Sequence, residues 1–295
     1  MAVTIEKIRA QKNSETRITM LTCYDATFAR LLDDAQVDCL LVGDSLGMVI
    51  KGEENTLKVT VDEVAYHVAA VARGARRAHI IGDMPFMSHQ TGDRDALLNA
   101  ATLIQAGAHS VKLEGGAEIA QRVATLVQAG IPVMGHVGLR PQSVHAQSGF
   151  KVQGRHADAR QSIIDDALAL EAAGAYGIVL EGVPADLAVE ITATLSIPTI
   201  GIGAGVGCDG QVLVLYDVLG LNRDFKPKFV KKYVPGAEIV ENAVMNYVND
   251  VKQGHFPGLE HTFGGRLESN EQRASLEVRQ KTCYGPAEQA VREAS

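Results

Sequence analysis

The chain has 295 residues, a net charge of −7 from 28 basic and 35 acidic side chains, and 46% hydrophobic residues, which is the balance of a globular protein with a large core. No run of 18 apolar residues is present, so no transmembrane helix is expected, and the mild acidity disfavours a nucleic-acid partner. Met1–Lys12 lacks the apolar stretch of a signal peptide, and Cys23, Cys39, Cys208 and Cys283 form no CxxC pair, so reduced thiols in a cytoplasmic protein are expected.

In chain order, eight short apolar runs predict strands: Ile18–Cys23, Cys39–Gly43, His79–Asp83, Ser110–Glu114, Pro132–His136, Tyr176–Glu181, Pro198–Ile202 and Gln211–Leu215. Near-continuous apolar character is what buried parallel strands require. Helical segments such as Val61–Arg76, Arg94–Ala106 and Ala159–Ala173 lie between them. Gly107, Gly130 and Gly174 follow helix-like stretches as C-cap residues would. The alternation predicts an α/β fold, a single-domain (β/α)8 TIM barrel over residues 1–263, with a doubly wound sheet as the alternative. Residues 264–295 are polar and read as a flexible C-terminal extension. The span Gly135–Gly154 reads as a long loop and a candidate lid. The segments 106–115 and 173–182 echo each other, each running from helix end through strand to Glu-Gly.

The acids carry the functional signal. Asp44, Asp83, Glu114 and Glu181 each stand at the carboxyl end of an apolar run, the end at which a barrel builds its active site. Buried strand ends exclude carboxylates unless they are paired or hold a metal. Oxygen-only ligation favours Mg²⁺ or Mn²⁺, and zinc-type histidine spacing is missing. Lys112 lies two residues before Glu114 and shares its face, either as an ion-pair partner or as a clamp for an anionic substrate. His136 ends a strand, either as a packed residue or as a substrate contact. Gly201-Ile202-Gly203-Ala204-Gly205 lacks the full GxGxxG spacing, and no GxSxG elbow occurs, which disfavours dinucleotide binding and serine hydrolysis.

Seven motifs appear in order: VGDSLGM (42–48), GDMPFM (82–87), VKLEGG (111–116), GHVGL (135–139), KVQGR (151–155), LEGVP (180–184) and IGIGAG (200–205). They closely resemble the ketopantoate hydroxymethyltransferase family, over about residues 3–263. The resemblance implies a barrel of the phosphoenolpyruvate/pyruvate superfamily, assembled as a homo-oligomer, usually a decamer. It implies transfer of a hydroxymethyl group from 5,10-methylenetetrahydrofolate, as co-substrate, to 3-methyl-2-oxobutanoate, giving 2-dehydropantoate for pantothenate biosynthesis. By position, Asp44 and Asp83 would ligate one Mg²⁺ per subunit, with Glu114 supporting it. Asp44, Ser45, Asp83 and Lys112 would bind the keto acid, with His136 as a further contact, and Glu181 would be the catalytic base. Arg140 stands where the family commonly has Thr, and Ser148-Gly149 where a Gly-Gly pair is common, both within the expected lid.

The chemistry is coherent on its own terms. A 2-keto acid chelating a Lewis-acidic cation is readily enolised, and a carboxylate within reach of C3 can take the proton. The competing readings are another enolate-forming enzyme, such as an isocitrate-lyase-type C–C lyase, and a non-catalytic binding barrel. The lyase's usual Lys-Lys-Cys-Gly-His loop is missing from this sequence.

Overall fold

A computed structural model describes residues 2–223 and 227–263. They form two compact units that divide between Tyr233 and Val234. The first unit holds eight strands: β1 (Ile18–Thr22), β2 (Cys39–Val42), β3 (His79–Asp83), β4 (Ser110–Glu114), β5 (Val133–Gly138), β6 (Gly177–Glu181), β7 (Thr199–Ile202) and β8 (Gly210–Leu213). All neighbours pair in parallel, and β1 pairs with β8 to close the barrel. Closure decides between the two expected architectures in favour of the (β/α)8 barrel, since a doubly wound sheet would leave two free edges.

The helices of this unit are α1 (Ile5–Ala10), α2 (Ala26–Asp34), α3 (Leu46–Val49), α4 (Val61–Gly74), α5 (Asp93–Ala106), α6 (Ala120–Gln128), α7 (Ala157–Ala172), α8 (Ala185–Thr194) and α9 (Leu215–Val218). Local chemistry fixes several boundaries. Asp25 caps α2 by accepting the backbone N–H groups of Thr27 and Phe28. Thr60 and Glu63 form a reciprocal capping box at α4. Gly107 ends α5 at φ +117°, a conformation that side chains resist, and so turns the chain into β4. The second unit contains α10 (Gly236–Gln253), which the sequence reading did not single out, and ends in a 3₁₀ turn at Leu259–His261. No helix among the described residues is long and apolar enough to cross a membrane. The extension expected over 264–295 lies outside the described residues, as does Cys283; Cys23, Cys39 and Cys208 are buried free thiols.

Two boundaries differ from expectation for identifiable reasons. β5 runs to Gly138, two residues past the expected strand end at His136 and into the expected loop, because Glu114 pairs with His136 and Gly138 with Glu181 in the strand ladders. The eighth strand ends at Leu213, because Leu215 starts α9 and its N–H bonds the Thr22 hydroxyl.

Two apolar layers hold the barrel. One packs the outer strand faces against the helices and includes Leu40, Val64, Leu103, Val111, Leu126, Leu170 and Leu187. The other fills the lumen with Met20, Leu41, Ile81, Met134, Val179, Ile200 and Val212. α1 closes the amino-terminal end of the lumen, with Ile8 fully buried in that cluster. Side chains two apart on a strand share a face, so the lumen row continues upward into the mouth. Ile81 leads to Asp83, Met134 to His136, and Val179 to Glu181. An apolar plug therefore supports a charged rim.

Candidate active site

Strand ends bring the charged residues together at the carboxyl mouth. Asp44, Asp83, Lys112, Glu114 and His136 are all buried, each at most 5% exposed. Lys112 is the hub. Its Nζ lies 2.7 Å from Asp83 Oδ1, 3.6 Å from Glu114 Oε1 and 3.3 Å from His136 Nδ1. The backbone N–H of Asp44 donates to Asp83 Oδ2 at 3.2 Å, which ties the ends of β2 and β3. Gly43 precedes it, and a Cβ there would press on the Ser45 hydroxyl at 3.0 Å. Ser45 Oγ is 2.8 Å from the buried Tyr24 hydroxyl. His136 bridges the two sides of the mouth, with Nδ1 3.5 Å from Glu114 Oε1 and Nε2 3.3 Å from Glu181 Oε2.

Electrostatics sorts these groups. Burial and repulsion from Asp83 and Glu114 push the Asp44 carboxyl well above the usual range, despite Lys112 and Gln142. Burial also raises Asp83, with Lys112 opposing it. Glu114 goes the other way: burial would raise it, but Lys112, His136 and the Gln142 N–H hold it near 2. Burial and the Lys112 charge would lower His136, yet Glu114 and Glu181 outweigh them and lift it to about 9. Burial would also lower Lys112, but Asp83, Glu114 and Asp44 raise it. The surrounding carboxylates thus draw Lys112 and His136 toward their protonated forms, and the two face a cluster of four acids, Asp44, Asp83, Glu114 and Glu181.

That excess of buried oxygen ligands suits a hard dication. Asp83 Oδ1 makes no hydrogen bond beyond its ion-pair contact with Lys112, and Asp44 and Asp83 lie side by side. Among the described residues no group of three or more His, Cys, Asp or Glu side chains is placed to hold a metal ion by itself. Mg²⁺ sites seldom need one, since one or two carboxylates plus waters and substrate oxygens complete the octahedron. The donor set present therefore fits Mg²⁺.

The residues line one open cleft at the carboxyl mouth of the barrel. Its floor is apolar, formed by Leu41, Val179, Ile202 and Val212. Each site residue expected from the sequence lines this cleft: Asp44, Ser45, Asp83, Lys112, Glu114, His136 and Glu181.

Three residues were not foreseen. Gln142 reaches in from the loop after β5, where it sits in a 3₁₀ turn at Pro141–Ser143. Its Nε2 donates to Asp44 Oδ2 at 3.0 Å and to the Met84 carbonyl at 2.9 Å, and its backbone N–H donates to Glu114 Oε2 at 3.0 Å. One loop residue thus touches the ends of three strands. Tyr24 follows β1 as Asp44 follows β2, and the strand-end rule that selected Asp44 could have found it, whereas Asp217 lies within α9, beyond the end of β8. Arg140, in the expected lid, turns away to pair with Glu118 at 2.6 Å. The half-exposed Phe150 of the same loop lines the cleft.

The profile of the ketopantoate hydroxymethyltransferase family matches residues 2–259. A 3-methyl-2-oxobutanoate hydroxymethyltransferase from Nitratidesulfovibrio vulgaris (strain DP4) is 55% identical over 263 residues, covering 89% of this chain and 85% of its own. Its namesake from Syntrophotalea carbinolica is 52% identical over 261 residues, covering 88% and 98%. Among solved structures, the phosphoenolpyruvate phosphomutase of Streptomyces platensis subsp. rosaceus superposes with a TM-score of 0.59 at 12% identity, over 94% of this chain and 97% of that one. At that identity the likeness speaks to the barrel fold alone.

Proposed function

The chain belongs to the ketopantoate hydroxymethyltransferase family and is a transferase, and from that premise we propose that it moves a one-carbon unit from 5,10-methylenetetrahydrofolate to 3-methyl-2-oxobutanoate with Mg²⁺ as cofactor. The observation that carries this reading is the two-sided mouth: the Asp44–Asp83 pair and Lys112 on one side, and Glu181 across His136 on the other. A Mg²⁺ held by Asp44 and Asp83 would supply Lewis acidity to the keto oxygen of a chelated 2-keto acid.

The protein's own groups do the rest. Lys112 and the Ser45 hydroxyl bind and orient the substrate carboxylate. Tyr24 fixes Ser45 through the 2.8 Å contact between their hydroxyls. Glu181 accepts the C3 proton through a carboxylate oxygen. His136 Nε2 lies 3.3 Å from that carboxylate and positions it. The resulting C3 nucleophile takes the carbon unit from the donor. One water is consumed overall, its oxygen becoming the new hydroxyl, and tetrahydrofolate leaves. The apolar floor of the cleft keeps bulk water from the reactive carbon.

The test is product formation from keto acid plus methylenetetrahydrofolate. Product should disappear on chelation and return with Mg²⁺, and Asp83→Ala should need at least roughly tenfold more Mg²⁺, as loss of a ligand implies. Turnover indifferent to chelation would remove the metal from the scheme. Failure with this donor alone would remove the folate.

A further inference from the structure

Asp217 is the one carboxylate of the cleft with no role so far. It lies on α9, just beyond β8, is 5% exposed, and lines the same cleft as Asp44 and Glu181. Among the described residues no donor hydrogen-bonds its carboxylate and no cation forms an ion pair with it. Burial pushes its acid upward, opposed by Lys232, whose Nζ bonds the Asn222 carbonyl at 3.3 Å. Its carboxylate opens onto the cleft and makes no hydrogen bond among the described residues, so it is available to donors of a bound ligand.

The surroundings say what kind of partner. Half-exposed Phe150 and Phe229 line the cleft, along with Val214. The Phe229 ring rests on Gly203, where a Cβ would come within 3.1 Å of it. The glycine motif at 201–205 thus makes room for an aromatic wall at Gly203. Aromatic faces beside a carboxylate lacking donors suit a flat heterocycle that presents two adjacent N–H groups. Lys112 and the Asp44–Asp83 pair are already committed to the small keto acid.

We propose that Asp217 anchors the pterin ring of the one-carbon carrier, its two oxygens accepting the N3–H and 2-amino N–H of the ring edge while Phe150 and Phe229 flank the ring system. This rests on the folate reading above.

The experiment measures binding of tetrahydrofolate, and of its 2-desamino-2-methyl analogue, to the full-length wild type and to Asp217→Asn. Tetrahydrofolate should bind the variant roughly ten- to hundredfold more weakly, the range for losing hydrogen bonds to a charged group. The analogue, lacking one of the two donors, should distinguish the proteins much less. The variant should unfold at about the wild-type temperature, because the carboxylate makes no hydrogen bond or ion pair among the described residues that the substitution would break. Equal tetrahydrofolate affinity in the two proteins would overturn the anchor and leave the folate reading standing. No binding of tetrahydrofolate by wild type would overturn the folate reading, and the anchor with it. A variant that unfolds earlier would assign Asp217 to the scaffold and overturn the proposal.

Discussion

Asp33 shows how a single carboxylate can join two elements. It is buried at the end of α2 and accepts the backbone N–H groups of Arg76, Arg77 and Ala78 at 3.0, 3.0 and 2.7 Å, so it braces the turn from α4 into β3. Burial would raise its acid, but these bonds and the Arg77 charge hold it below the ordinary value. A depressed folded value means that its stabilisation is complete above the unfolded value, near 4, and is lost as the pH falls through the folded one. Asp33→Asn should therefore cost about 2–3 kcal/mol at pH 7. The gap between wild type and variant in urea unfolding should shrink once the pH drops below about 4. A gap that stays constant from pH 7 to pH 3 would show that the ionised carboxylate is not what matters.

At this scale the site was largely legible. Asp44, Asp83, Glu114 and Glu181 stood out because an acid at the end of an apolar run needs a reason. Lys112 followed from the period of two. Gln142 was invisible for a physical reason: its amide reaches Asp44 from a loop, and loop geometry has no periodicity that a sequence can display. Asp217 was missed because β8 is short and α9 begins at once, so the acid lies inside a helical turn and not at the strand end.

Elements meet with little slack. Gly74 closes α4 where it crosses α2, and a Cβ there would strike the Ala26 carbonyl oxygen and come within 2.7 Å of the Ala29 Cβ. Helix propensity alone favours Gly74→Ala by about 1 kcal/mol. Overpacking against backbone costs about 1–3 kcal/mol, and backbone cannot swing aside as a long side chain can. Gly74→Ala is therefore expected to lower the thermal midpoint by several degrees, and a raised midpoint would show that the two helices separate freely. Strand positions were legible to within a residue or two because continuous apolar runs mark them. Their ends were less so: the carboxyl part of β5 is held by ladder pairing with β4 and β6, which no local signal in GHVG announces.

On the scale of the whole barrel, the lumen is filled from below and charged above. α1 closes the lower end, with Val3 N–H bonded to the Arg77 carbonyl at 2.7 Å and Lys12 paired with Asp209 at 3.0 Å. Ile8 sits fully buried at the base of the plug. Ile8→Ala should cost about 2–4 kcal/mol, because the closed barrel can collapse only partly around the void. Chemical denaturation would show this, and a cost under about 0.5 kcal/mol would mean that α1 merely rests on the surface. The closure itself was legible from eight regularly spaced runs, whereas the plug was not. The sequence reading placed no helix in Met1–Lys12, and only the tertiary structure shows Ile8 of α1 packed in the lumen.

The account as a whole turns on proton removal at C3 of a 2-keto acid by Glu181, opposite the Asp44–Asp83 pair. The most direct measurement is NMR of hydrogen–deuterium exchange at C3 of 3-methyl-2-oxobutanoate in D₂O with Mg²⁺ and no folate, comparing wild type with Glu181→Gln. Wild type should exchange the proton without forming product, and Glu181→Gln should bind the keto acid yet slow exchange by roughly a hundredfold or more, the contribution of a positioned general base. Exchange at the wild-type rate in Glu181→Gln would contradict the account, because the proton would then be leaving by another route.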